Sequence, residues 1–223
     1  MKRSVKVVLF DLDGTLVDSM HLIHKALNIA FERNGFKPLS LNRLGRVAGT
    51  PLVGLMKMSG GEVSREIEEA VRRDFVITYS SISEGRTRLF PGVKSTVKWL
   101  HSRDYKLGIL TTTPRTIVNR DLARFRMTDY MSVVLTSDEV KNPKPAPDGI
   151  LMATKAFSVD AGEMVYVGDS PVDIKAATAC GVRSIALETG LCDAETLERE
   201  KPEVVLPDIR YLPNFLLSLE TTR

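Results

Sequence analysis

VKVVLFDLDGTLVDS, Val5 to Ser19, is an apolar run that stops at two aspartates one residue apart and then turns through Gly-Thr. Val5–Phe10 is β-branched and apolar almost throughout rather than alternating, the pattern of a strand buried on both faces. Such strands build open parallel sheets, and those sheets bind their ligands beyond the carboxyl ends of the strands. Asp11 and Asp13 stand at such an end. Gly14 favours the turn that follows them.

The same design recurs along the chain. Lys106–Leu110 ends at Thr111, Ser132–Leu135 leads into a loop holding KNPKPAP (141–147), and Glu163–Val167 ends at Gly168-Asp169. Helical periodicity lies between these runs over Lys94–His101, Thr116–Arg124 and Asp148–Phe157. Two further strands are expected at Ser184–Leu187 and Val204–Leu206, with a last helix near Tyr211–Leu219. Alternating strands and helices predict an α/β fold with a Rossmann-like parallel sheet. The stretch from Ser19 to Arg88 breaks the rhythm and contains no recognisable strand. Ile67, Val71, Phe75 and Tyr79 share one helical face, as do Ile23, Leu27 and Ala30. Breakers at Gly35, Pro38, Gly49–Pro51 and Gly60–Gly61 divide it into four helices. The expected organisation is a core domain from residues 1–18 and 89–223, with a helical cap domain inserted over 19–88. The chain re-enters the core at the LFPG turn, Leu89–Gly92.

Composition narrows the function classes. With 223 residues, 43% hydrophobic and 26% charged, the chain has the balance of an ordinary globular protein. A formal charge of +3, without a basic run or basic-aromatic stripe, gives no support for nucleic-acid binding. No segment approaches the roughly 20 apolar residues of a membrane span, and the N-terminal run breaks at Asp11 without a signal-peptide cleavage site. Cys180 and Cys192 form no metal-ligand pattern with the histidines, so a reduced, cytoplasmic protein is expected. His21, His24 and His101 have no partners at ligand spacing, and Trp99 is expected to pack in the core.

Asp11, Asp13, Thr111, Lys144 and Asp169 all fall just past strand ends, so separate segments deliver compatible chemistry to one sheet edge. DLDGT (11–15), LTT (110–112), Lys144 in KPAPD and GDSPVD (168–173) resemble, in order, the four motifs of the haloacid dehalogenase-like superfamily. The helical stretch between the first two resembles that family's cap. DGTLVDS, LFPGV and VGDSPVD together are most similar to the phosphoglycolate phosphatase-like branch, near the β-phosphoglucomutase-like one. The resemblance implies a Mg²⁺-dependent phosphatase acting on a small phosphorylated metabolite, with 2-phosphoglycolate or a sugar phosphate as candidates.

The residues suit those roles. A carboxylate with an ordinary pKa of about 3.9 is ionised at neutral pH, so Asp11 needs no base to attack phosphorus. Asp13 is the expected general acid and then base; it must carry a proton when the ester bond breaks. Nucleophile and phosphate are both anions, and like charges about 4 Å apart repel by roughly 4 kcal/mol at an effective dielectric near 20. Asp11, Asp169 and the backbone carbonyl of Asp13 form an all-oxygen set for Mg²⁺, the arrangement the resemblance also implies. An EF-hand reading fails because a third acidic ligand is missing and a strand precedes the acids. Lys144 is the second positive charge. Thr111 offers a hydroxyl and a backbone amide to a phosphate oxygen, with Thr112 or Thr113 as substitutes if the strand end lies one residue away. Gly168, Ser170 and Asp173 are supporting residues. Asp173 can cap the helix that Ser170-Pro171 begins, orient Lys144, or support the metal through water. Asp18 and Ser19 are expected to cap the first helix of the cap. Arg46 and Thr50 are candidate specificity residues. A sugar-phosphate mutase would share every core residue, but its usual basic residue after Gly-x-Ser in the cap has no counterpart in Ala48-Gly49-Thr50-Pro51. A 2-haloacid dehalogenase fits less well, because Asp13 and the implied metal suit a phosphate ester. A non-catalytic binding module gains no support, since no chemical residue is missing.

Overall fold

A computed structural model describes residues 5–47 and 50–221. The chain begins with strands β1 (Val7–Phe10) and β2 (Val17–Asp18). Helices α1 (Met20–Arg33), α2 (Leu41–Arg46), α3 (Leu52–Met58) and α4 (Arg65–Ser83) follow. The alternating part then runs β3 (Arg88–Leu89), α5 (Val93–His101), β4 (Lys106–Leu110), α6 (Arg115–Phe125) and β5 (Met131–Leu135). It continues through α7 (Asp148–Phe157), β6 (Met164–Gly168), α8 (Pro171–Ala179) and β7 (Arg183–Leu187). It ends with α9 (Ala194–Glu198), β8 (Val204–Leu206) and α10 (Leu212–Thr221).

Six strands form one parallel sheet in the order β5-β4-β1-β6-β7-β8. The chain builds outward from β1 through β4 to β5, then crosses back and builds the other half from β6. Strand order therefore reverses beside β1, and the crevice for a ligand opens at its carboxyl end. All four residues of β1 are fully buried. Val8 and Phe10 join a core with α5, α6 and α10, while Val7 and Leu9 join a second core with α7 and α8. That two-faced burial is why the run does not alternate; each such side chain contributes about 1.5–3 kcal/mol.

Among the described residues the insertion contains four helices, divided at Gly35 and Pro38, before Leu52, and at Gly60–Gly61; Ala48 and Gly49 lie outside the described residues. α1 and α4 pack along their apolar faces. Leu27, Ala30 and Phe31 meet Val71 with Ile67 and Phe75, while Leu22 and Ala26 meet Tyr79 and Ile117 of α6. Nothing in the sequence marks β2 and β3. They pair antiparallel, Val17 with Leu89 and Asp18 with Arg88, where the insertion leaves and rejoins the core. Two-residue strands are too short to carry a periodicity. Trp99 lies at the rim of its core rather than inside it, half-buried under the Arg103 guanidinium. Among the described residues, no helix is long and apolar enough to cross a membrane.

Candidate active site

At the end of β1 the backbone N–H of Asp11 donates to Val167 O at 2.8 Å, so Asp11 starts the turn while still held by β6. Gly14 takes φ +86°, a conformation costly for other residues, and a side chain there would collide with the Asp169 carboxylate. The turn is tied down from both sides. Thr15 Oγ1 donates to Asp169 Oδ1 at 2.9 Å, and Thr189 Oγ1 donates to Gly14 O at 2.6 Å. Gly190 presses its backbone on the same carboxylate, where a methyl group would overlap Asp169.

Lys144 reaches this turn from the loop after β5, and its side chain is almost fully buried. Its ammonium donates to Asp11 Oδ1 at 2.8 Å, Asp173 Oδ1 at 2.6 Å and the Tyr166 hydroxyl at 2.9 Å. All three donors are thus satisfied. Asp173 combines the roles of cap and lysine partner. Its Oδ2 accepts from the Ser170 N–H at 3.1 Å and the Ser170 hydroxyl at 2.5 Å at the start of α8. Its Oδ1 takes Lys144 and the Tyr166 hydroxyl, the latter at 3.0 Å. A side chain at Gly168 would overlap Asp173, so the close approach of β6 to α8 needs glycine.

The Asp13 side chain turns away from this group. Oδ1 accepts the hydroxyls of Ser19 at 2.6 Å and Tyr79 at 3.0 Å, and Oδ2 accepts that of Thr113 at 2.5 Å. Ser19 stands at the start of α1 but makes no side-chain capping bond; its hydroxyl serves Asp13 instead. Asp18 is exposed, with Oδ1 3.8 Å from His21 Nδ1. The Thr111 backbone N–H is spent on Leu135 O at 3.0 Å, which removes the expected amide donor and leaves its buried hydroxyl. That hydroxyl accepts from the Thr113 N–H at 3.2 Å, while Thr112 is exposed.

Electrostatics separate the acids. Burial raises Asp11, Lys144 pulls it back, and Asp173 and Asp13 add to the rise, for a net value of about 7. Burial, then Asp11 and Asp173, holds Asp169 well above the carboxylate range. Burial acts to lower Lys144, but Asp11 and Asp173 outweigh it and keep the ammonium well above its usual value. Asp11 is therefore not freely ionised at neutral pH in the metal-free protein, contrary to what an ordinary aspartate would do. Asp11, Asp169 and Asp173 each place a carboxylate oxygen within 4.8 Å of the others. One ammonium facing three buried carboxylates leaves the cluster short of positive charge. An all-oxygen donor set, with Asp169 cradled between Gly14 and Gly190, fits a hard divalent cation. Asp173 joins this cluster, whereas the Asp13 carboxylate, held by Ser19, Tyr79 and Thr113, is not part of it.

The specificity candidates lie elsewhere. Arg46 is exposed at the end of α2, and Thr50 packs its methyl group on Gly54 before α3. Neither shares a hydrogen bond with the strand-end group among the described residues. Sequence reasoning missed Thr15, Ser19, Tyr79, Tyr166, Thr189 and Gly190 as parts of the site. For Tyr166 a signal existed, since a tyrosine in an otherwise wholly apolar buried strand must find a partner for its hydroxyl.

The sequence profile of the haloacid dehalogenase-like hydrolases matches residues 8–187. Phosphoglycolate phosphatases from Shigella boydii and Yersinia pestis are each 31% identical to the chain. These alignments cover 94% and 92% of the chain, and 92% and 90% of the relatives. A crystallised hydrolase from Pseudomonas syringae, 27% identical, superposes over 95% of the chain and 98% of its own length with a TM-score of 0.83. The profile spans the first strand, the insertion and the sheet as far as β7, with the ordered carboxylates inside it, and the chain belongs to the haloacid dehalogenase-like hydrolases.

Proposed function

We propose that the chain is a Mg²⁺-dependent phosphatase that hydrolyses a small phosphomonoester through an aspartyl-phosphate, with Asp11 as nucleophile and Asp13 as general acid and base. The observation that carries this reading is the division of the two acids. Asp11 is fixed by Lys144 among buried carboxylates, whereas Asp13, two residues on, is held apart by three hydroxyls. The phosphoglycolate phosphatases among the relatives favour 2-phosphoglycolate or a similar small substrate.

In this mechanism a carboxylate oxygen of Asp11 attacks phosphorus while Lys144 holds Oδ1 and neutralises a phosphate oxygen. The Thr111 hydroxyl donates to another. Asp13 gives its proton to the departing alkoxide, which leaves as the alcohol. Asp13, now a base, takes a proton from the water that attacks the aspartyl-phosphate, releasing inorganic phosphate and restoring Asp11. Asp11, Asp169 and the Asp13 carbonyl, with Asp173 in support, would hold Mg²⁺, which when bound would supply the positive charge that lets one anion approach another. Residues 19–88 form the cap that selects the leaving group; Arg46 and Thr50 are its candidate contacts. The free thiols of Cys180 and Cys192 support a reducing, cytoplasmic setting.

A panel of phosphomonoesters including 2-phosphoglycolate and glucose phosphates, with Mg²⁺ and after EDTA treatment, tests the reading. Inorganic phosphate release that EDTA stops and Mg²⁺ restores is expected. Isomerised glucose phosphate, or halide release from 2-haloacids without phosphatase activity, would overturn it.

Two predictions concern the metal. Asp11 is raised from 3.8 to about 7 on folding, so its contribution to stability is complete below 3.8 and lost as pH rises through about 7. The metal-free protein should therefore melt at a higher temperature near pH 5 than near pH 8, whereas the gain on adding Mg²⁺ should be larger at pH 8. Calorimetry in buffers of different ionisation enthalpy should record proton release on binding. The second prediction is that Gly190→Ala, by pushing the Asp169 carboxylate aside, weakens Mg²⁺ binding by about 10- to 100-fold. Titration of the folded variant with Mg²⁺ by calorimetry checks it.

A further inference from the structure

One contact crosses from the insertion to the chemistry without belonging to the cluster. Tyr79 sits on α4, is buried, and lies on the apolar face that packs α4 against α1 and α6. Its ring stacks on Phe75 with centroids 5.8 Å apart and planes 6° from parallel. That packing fixes the ring, and the ring aims its hydroxyl at Asp13 Oδ1, 3.0 Å away. Ser19, where the insertion begins, shares the same oxygen, while Thr113 from the loop after β4 holds the other. Asp13 is thus held from the core on one side and from the insertion on the other.

We propose that Tyr79 is a positioning residue for proton transfer: its hydroxyl fixes the orientation of the Asp13 carboxyl group and ties it to the seating of α4. The inference rests on the phosphatase reading and deepens it. A carboxyl group pinned at both oxygens has few orientations in which to meet the leaving oxygen, and loss of one donor frees its torsion. Misalignment matters in proportion to the proton the leaving group needs. A departing alkoxide is strongly basic and needs it; the carboxylate that leaves acetyl phosphate does not.

The test compares kcat/KM, which reports steps up to cleavage of the phosphorus–oxygen bond, for the best alkyl phosphate and for acetyl phosphate. Tyr79→Phe keeps the ring and its stacking and removes the hydroxyl. The variant should lose about 10- to 100-fold with the alkyl ester and no more than about threefold with acetyl phosphate. In an Asp13→Asn background the same substitution should produce no further loss with the alkyl ester. Equal losses on both substrates, an unchanged alkyl ester rate, or the same loss in the Asp13→Asn background would overturn the proposal. If the unmodified protein with Mg²⁺ hydrolyses neither substrate, the phosphatase reading itself fails, and that outcome is distinct from the others.

Discussion

Asp11→Asn is expected to abolish turnover, by about 10⁴-fold or more, while leaving the fold intact. The amide oxygen is a poor nucleophile, and no other carboxylate in the cluster is free to replace it: Asp173 is committed to Ser170, Tyr166 and Lys144, and Asp169 is held by Thr15. The variant keeps shape and volume, and the amide oxygen at this position can still accept from Lys144. The substitution also removes one of three buried carboxylates that repel one another, so the metal-free variant should melt no lower than the parent at pH 8. Phosphate release and thermal melting measured together check both halves. Normal metal-dependent hydrolysis by Asp11→Asn would sink the mechanism.

Lys144→Met should damage both stability and rate. The ammonium is the cation that the buried Asp11 and Asp173 share, and its removal strands their charge; breaking such a pair costs about 3–5 kcal/mol. The pH dependence follows from the shifts. Lys144 is raised above its ordinary value of 10.5, so its contribution is complete below that value and lost only in strong alkali. Burial also raises Asp11, and Lys144 opposes that rise, so in the variant Asp11 escapes the cost of its buried charge by taking up a proton as pH falls. The stability gap between parent and variant should therefore be largest near pH 8 and narrow towards pH 5, as urea melts of the metal-free proteins would record. Hydrolysis should fall by about 10³-fold, the equivalent of the roughly 4 kcal/mol of anion–anion repulsion no longer offset. A variant as stable as the parent at pH 8 would contradict this account of the cluster.

The six strands of the main sheet are legible in the sequence as short apolar runs, the central ones buried on both faces and ended by a polar residue; boundaries move by only one or two positions, as at Val7 and Met131. Asp11, Asp13, Lys144 and Asp169 stand out because a polar residue at the end of an apolar run is conspicuous. What surrounds them is hidden for a different reason. Tyr79 is visible as one member of an apolar helical stripe, and periodicity registers its ring but not its hydroxyl. Its bond to Asp13 joins residues far apart in sequence and depends on how α4 seats against α6. Ser19 reads as a helix cap because its position is that of a cap; only the turn of the chain sends its hydroxyl to Asp13. Gly190 carries no local pattern at all. Its significance is the carboxylate lying against its backbone.

The small ribbon of β2 and β3 has a thermodynamic corollary. It sets Val17 opposite Leu89 and Asp18 opposite Arg88, so everything from Ser19 to Thr87 is, to the sheet, a single closed loop. The entropy of closing a loop grows only with the logarithm of its length, about 0.6 kcal/mol for each doubling. The insertion can therefore lengthen, shorten or be exchanged at little conformational cost to the strands that carry the carboxylates. What couples the insertion to the core is therefore side-chain contact rather than loop closure, and residues such as Tyr79 that span the two mark where an exchanged insertion would have to be matched to its core.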